Sequence, residues 1–329
     1  MEKLFLGCDL GGTNIKVGLV NIETGEILAF KSRATKSNKG RKQVIQRIVD
    51  LMEEVIIAGG YQKADVSGAG IGLPGVLDLE KGEIVFLTNF PGKWRNYPIV
   101  SSMQEALGLP VHILNDVRLI TLAEWKYGAG QGVENMACLA IGTGIGGGLV
   151  INNKLHLGIG GTAGELGHMI ISMDGTQCGC GSRGCLETFA SGPAIAAMGV
   201  KAVMQGLTTS IGEKVDYDLN LITTRVIAEA ALEGDHVACE VYEKAGEYLG
   251  IGISNILTSV SPQKVVISGG VAAAGELLMK PIRETVMQRV FVVPADEVEI
   301  VTGTLGNNAG ILGAASWASI QVSESNSVS

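Results

Sequence analysis

Residues 4–20 read LFLGCDLGGTNIKVGLV, and residues 136–151 read MACLAIGTGIGGGLVI. Each is an apolar run of strand-forming residues, a turn of glycine and threonine, and a second apolar run, which predicts strand, tight turn, strand. Two such hairpins about half a chain apart predict two related α/β halves facing a common cleft. Working outward, residues 43–58 carry Val44, Ile45, Ile48, Leu51, Met52, Val55 and Ile56 at helical spacing. VSGAGIGLPGVLD from Val66 reads as a β run. VHILND from Val111 ends at Asn115 and Asp116 and leads into a helix over 119–127. Further on, residues 225–259 carry two predicted helices, KVVISGGV reads as strand and glycine turn, and residues 305–318 read as a loop and closing helix. The polar stretch QVSESNSVS at 321–329 reads as a frayed tail.

The chain has 329 residues, of which 46% are hydrophobic, enough for two domains with their own cores. Its 47 glycines fall in short groups and not at every third residue, which excludes collagen and points to tight loops. A net charge of -8 argues against a nucleic-acid backbone as the main partner. The basic run KSRATKSNKGRK at 31–42 has no aromatic residues and reads as a solvated connection. The N-terminal residues do not read as a signal peptide, and no apolar run reaches the ~18 residues of a membrane span, so a cytoplasmic protein is expected. Six cysteines without a secretion signal fit a reducing compartment, where clustered thiols more often bind metal than pair with one another.

His168 precedes Cys178 by ten residues, and Cys178, Cys180 and Cys185 form a C-x-C-x4-C cluster. One imidazole and three thiolates make a closed tetrahedral set of the structural zinc type, with no open position for a reacting water. Cys8, Cys138 and Cys239 sit in apolar runs and read as core residues. Asp9-Leu10-Gly11-Gly12-Thr13-Asn14 would let backbone N–H groups approach a phosphate, with Thr13 adding a donor and Asp9 orienting Mg²⁺ through water. An ordinary hairpin would also explain one such loop; the second, Gly142-Thr143-Gly144-Ile145-Gly146-Gly147-Gly148, is harder to explain that way. Neither loop has the Gly-Lys-Ser/Thr ending of a P-loop. Taken alone, Asn115-Asp116 reads first as a helix cap; at a strand end facing a cleft, its carboxylate could also take the proton of an attacking hydroxyl. Glu165, His168 and Glu187 add to a polar set suited to a polyhydroxylated ligand.

DLGGTN, LND, IGTGIGGG, GELGHM and CGCGSRGCLE, in this order, resemble the ROK family of sugar kinases and related repressors from about Leu4 to Ala318. The resemblance implies an α/β, actin-like (ribonuclease H-like) pair of domains around a cleft. The small domain would be 1–114, completed by the helix at 305–318; the larger would be 115–304 with the zinc site; 319–329 would be a disordered tail. It implies an ATP-dependent kinase in which Asp116 takes the proton from a sugar hydroxyl, usually on C6. Asn115, Glu165, His168 and Glu187 match sugar contacts, and Gly75 and Asn89 match loops that close over the sugar. Asp9, Gly11, Gly12, Thr13 and Asn14, with Thr143 and Gly144, match the ATP phosphate and Mg²⁺ site, and Gly269 and Gly270 the loop near the adenosine.

Glucose is the first expected substrate, because the cysteine cluster is of the type in the family's glucokinases. N-acetylmannosamine and N-acetylglucosamine kinases share nearly the same cluster, whereas the family's fructokinases usually place another histidine inside it. Polyphosphate-using members generally lack the cluster, which favours ATP. The repressors carry a helix-turn-helix ahead of the DLGGT loop; that loop begins here at Asp9, so a regulator is not expected. A homodimer or homotetramer is implied. Three departures stand out: Arg118 where the family often has asparagine, Asn308 where an acid is commoner, and Lys93 in the PGKW loop.

Overall fold

The computed structural model describes residues 3–87, 90, 91 and 94–328. The chain divides into two compact units, one of Met1–Gln131, Leu155–Ala163 and Leu305–Ser329, the other of Gly132–Lys154 and Gly164–Thr304.

In the first unit β1 (Leu4–Leu10) and β2 (Asn14–Asn21) form an antiparallel hairpin, with Asp9 opposite Lys16. β3 (Glu26–Ala34) extends it on one side. β4 (Val66–Leu73) lies parallel to β1, β5 (Val76–Asp78) and β6 (Glu83–Phe86) form a separate short pair, and β7 (Val111–Asn115) lies parallel to β4. The sheet order is β3-β2-β1-β4-β7. The period of two along β1 decides what each residue faces. Leu4, Leu6, Cys8 and Leu10 share a core with Val44, Ile48, Met52 and Val55 of α1 (Arg41–Ala58), as the helical spacing predicted. Phe5 packs with Ile311 and Ala315 of the C-terminal helix (Ala309–Val328). That helix runs so close to the sheet that a Cβ at Gly7 or Gly70 would collide with the carbonyl of Ile311 or Ala314. Asp9 shares the parity of Phe5 and Gly7 and therefore meets the same helix, with room made by Gly310. α2 (Ile99–Leu107) and α3 (Asp116–Tyr127) complete the unit.

The second unit repeats the scheme. β8 (Met136–Ile141) and β9 (Ile145–Ile151) form the predicted hairpin, β10 (Lys154–Leu155) continues past β9, and β11 (Lys264–Ser268) and β12 (Glu299–Thr302) run parallel to β8. The order is β10-β9-β8-β11-β12. The helices are α4 (Glu187–Ala190), α5 (Gly192–Met204), α6 (Thr224–Leu232), α7 (His236–Val260) and α8 (Glu276–Arg289). The α/β actin-like fold that the resemblance implied, and with which the duplicated hairpins agree, is thus present.

The division differs from the expected boundary after residue 114. α3 stays with the first unit because Leu119 and Leu122 pack against Leu114, Ala314 and Trp317, and residues 155–163 return to it through Leu155 and Leu157. The expected tail is also helical as far as Val328: Val322 packs onto the apolar cluster below, and Ser323 Oγ bonds back to the Ser319 carbonyl. Polar composition there marks a solvated helix face. No helix among the described residues is long and apolar enough to cross a membrane.

Candidate functional site

In the first unit the turn after β1 is tied down from outside. Gly11 N donates to the Asn14 carbonyl (3.0 Å), and Thr35 binds both sides of the turn, Oγ1 to Gly11 O (2.6 Å) and N to Thr13 O (2.7 Å). Gly12, Thr13 and Asn14 remain exposed. The Asp9 carboxylate sits 3.8 Å from Lys16 Nζ. Burial raises its proton affinity, and Lys16 partly offsets this.

Asp116 is the first residue of α3, with Asn115 as N-cap: Asn115 Oδ1 accepts from Val117 N (3.1 Å) and Arg118 N (3.4 Å). Of the two readings of this dipeptide, the cap therefore belongs to Asn115, and Asp116 is available for chemistry. Asp116 Oδ1 accepts one backbone bond, from Val117 N at 2.9 Å. Burial, and next the negative charge of Asp9, push its carboxyl up to about 6, against the opposing pull of backbone N–H groups and Arg118. Gly75, in the left-handed region at φ 105, follows β4 two residues after Leu73, which pairs with Asn115. Asn89 and Lys93 lie outside the described residues.

In the second unit a cavity of about 380 Å³ brings the two remaining glycine loops together. Gly142, Thr143 and Gly270 line it with Pro193, Ile222 and Thr223. The last three were not singled out from sequence; their signals are slight, a proline opening α5 and a threonine capping α6. The neighbouring Gly269 has φ 86 and is wedged against the Ile141 backbone.

His168, Cys178, Cys180 and Cys185 converge, their ligand atoms all within 4.8 Å of one another. Cys178 Sγ lies 3.6 Å from His168 Nδ1, and Cys180 Sγ lies 3.7 Å from Cys185 Sγ. Tetrahedral zinc, with Zn–S near 2.3 Å and Zn–N near 2.1 Å, would set its ligand atoms roughly 3.6–3.8 Å apart, so the donor set fits such an ion. Burial pushes the Cys185 thiol up to about 12, with the adjacent thiols acting in the same direction. A bound cation would let the three thiols ionise together. The other face of the imidazole, Nε2, lies 3.9 Å from Glu165 Oε2. Glu187 opens α4 and binds the 142–145 loop: its Oε2 accepts from Ile145 N at 2.9 Å, and a Cβ at Gly144 would strike that oxygen. Its Oε1 is 3.8 Å from Cys178 Sγ, so one carboxylate links the cysteine cluster to the 142–145 loop.

A profile described as the ROK family matches residues 5–321. The chain is similar to the glucokinase of Halalkalibacterium halodurans, 34% identical over 95% of this chain and 94% of that one. It is also similar to the glucokinase of Thermotoga maritima, 36% identical over 96% and 98%. Among solved structures, a ROK family glucokinase from Streptomyces griseus in complex with glucose and AMPPNP superposes with a TM-score of 0.82 at 32% identity, covering 96% of this chain and 99% of that one.

Proposed function

The chain belongs to the ROK family, and on that footing we propose that it is an ATP-dependent sugar kinase phosphorylating a hexose, glucose first, at the 6-hydroxyl. The observation that carries the reading is Asp116, a carboxylate at the head of α3 whose proton affinity is raised to about 6, near the value a base needs at neutral pH. Ionised, it takes the proton of the sugar hydroxyl as that oxygen bonds to the γ-phosphorus. The bond from the γ-phosphorus to the bridging oxygen breaks, and ADP leaves with the electron pair.

Asn115, Glu165, His168 and Glu187, with Gly75 and Asn89, are the proposed sugar contacts. Asp9, Gly11, Gly12, Thr13 and Asn14, with Thr143 and Gly144, are proposed to hold the ATP phosphates, and Gly269 and Gly270 to flank the adenosine. The cavity joining Thr143 to Gly270 supports the last grouping. Asp9 is the group that would orient Mg²⁺, which when bound neutralises charge on the transferring phosphoryl group. His168, Cys178, Cys180 and Cys185 would hold a structural zinc, braced through Glu187 against the phosphate loop. We further propose a cytoplasmic homodimer or homotetramer, the free thiol cluster favouring a reducing compartment.

The test is coupled ADP release against a panel of hexoses and N-acetylhexosamines. Glucose-dependent turnover is expected. Turnover of an acetylated sugar with none on glucose would overturn the substrate, and sugar binding without any ADP release would overturn the kinase reading.

A further inference from the structure

The cavity of the second unit is lined by glycine, threonine and small apolar residues, with no charged or amide side chain among the described residues. Gly142 and Thr143 are its phosphate end in the kinase reading, which leaves Pro193, Ala196, Ile222 and Val271 for the base. Pro193 and Ala196 stand three residues apart on α5 and share a face. Ile222 and Val271 belong to the core of the unit, 5% and 4% exposed. The opening of α5 is locked to the glycine loop: Gly192 N donates to the Gly142 carbonyl at 2.8 Å, and a Cβ at Gly192 would strike that oxygen. These walls are apolar and fixed, which suits the flat faces of a purine.

The edge of a base is told apart by groups that only donate or only accept. Three backbone acceptors beside the cavity are already engaged. The Gly142 carbonyl takes the bond from Gly192, that of Thr223 accepts from Ile227 N (3.1 Å), and that of Thr224 from the buried Tyr242 hydroxyl (2.8 Å). The hydroxyls of Thr223 and Thr224 remain, and a hydroxyl both donates and accepts. Thr223 Oγ1 accepts from Val226 N at 3.4 Å as the cap of α6 and keeps its own proton to give. By turning its O–H, such a group meets the 6-amino group of adenine or the 6-oxo group of hypoxanthine. We propose that this cavity holds a purine by its faces and reads its edge through the Thr223 and Thr224 hydroxyls, so that 6-oxopurine triphosphates serve as phosphoryl donors beside ATP. This rests on the reading of the cavity as part of a kinase's nucleotide site. The transfer is otherwise the same: the γ-phosphoryl group passes to the sugar oxygen, and with ITP it is IDP that leaves with the electron pair. A site committed to one edge rejects the other by roughly 10⁴–10⁵, an uncommitted apolar one by roughly 10–200-fold.

Dissociation constants of ATP and ITP, each with Mg²⁺, would be measured on the full-length protein by calorimetry without sugar, and kcat/KM for both with glucose. ITP falls within about thirtyfold of ATP in both quantities. Thr223→Asp keeps the cap on Val226 N but puts a group that only accepts beside the base. It raises the preference for ATP over ITP about tenfold, whereas Thr223→Ser, which retains a hydroxyl, keeps the parental preference. If Thr223→Asp does not fold, Thr224→Asp takes its place with the same expectation, an acid being favourable in the first turn of a helix. Rejection of ITP by about 10³-fold or more, or an unchanged preference in the aspartate variant, overturns the proposal. Should both nucleotides bind without any turnover of glucose, the kinase reading fails by itself, and the ratio of the dissociation constants decides how the base is held. Should neither bind, both readings fall.

Discussion

Replacing Asp116 with asparagine separates what this carboxylate does for catalysis from what it costs the fold. In the folded protein its pKa is about 6, against an ordinary 3.8. The folded state thus binds the proton more tightly than the unfolded chain. The contribution of this group to stability is fully present below about pH 4 and is lost as pH rises to about 6. Above that, the ionised carboxylate disfavours folding by up to about 3 kcal/mol, the equivalent of the difference between the two values. An asparagine keeps the shape without the charge. At pH 4 the variant and the parent should therefore unfold at similar urea concentrations. At pH 8, in buffer without nucleotide or magnesium, the variant should be the more stable by up to about 3 kcal/mol. Turnover should fall roughly 10²–10⁴-fold, the usual worth of a positioned base, and the parent's kcat should rise with pH through about 6 as Asp116 ionises. A stability difference that does not change between pH 4 and pH 8 would refute the origin assigned to the raised pKa. Full turnover by the variant would refute the base.

Two further outcomes can be checked on purified protein. If the cluster holds the proposed zinc, Cys180→Ala should fail to retain that ion and weaken sugar binding before it affects the fold of the first unit, read by metal analysis, calorimetry and circular dichroism; normal sugar affinity in that variant would remove the bracing role. Glu124→Gln should lower unfolding free energy by roughly 1–3 kcal/mol. The buried carboxylate accepts from Ala129 N (3.0 Å) and Leu305 N (3.1 Å), and an amide must turn N–H groups toward one of these donors. An unchanged urea midpoint would contradict that account.

Much of the fold could be read from local pattern. The two hairpins, α1 and the strand ending at Asn115 all came from periodicity and turn residues, signals that act over a few positions. The convergence of the cysteine–histidine cluster was legible for the same reason, three of its four members falling within eight residues. What could not be read depends on distant partners. Nothing near Leu155 or Leu157 tells that they pack beside Leu114 and Trp317, so the boundary after residue 114 missed α3 and the excursion at 155–163. The last helix turns were missed because serines there bond to carbonyls one turn back, which composition does not reveal. Arg118 was noticed as a departure, yet its partner Ala163 lies far along the chain.

Three of the ionisable side chains of α3, Asp116, Arg118 and Glu124, have their burial handled in two different ways. Arg118 and Glu124 are the charged residues among the fully buried side chains described. Each is matched by backbone: Arg118 to the Ala163 carbonyl, Glu124 to the N–H groups of Ala129 and Leu305. A buried charge with local partners of opposite polarity can stay ionised and serve as a fixed tie. Asp116 has the backbone N–H groups of its own first turn and the partial help of Arg118, set against burial and the like charge of Asp9. Those two opposing effects win, and a carboxylate left with that imbalance favours taking up a proton. Had Asp116 been matched as fully as Glu124, the helix would be more stable and the residue a weaker base. The incomplete pairing at the head of α3 is thus what distinguishes the group that moves a proton from the two that hold the chain in place.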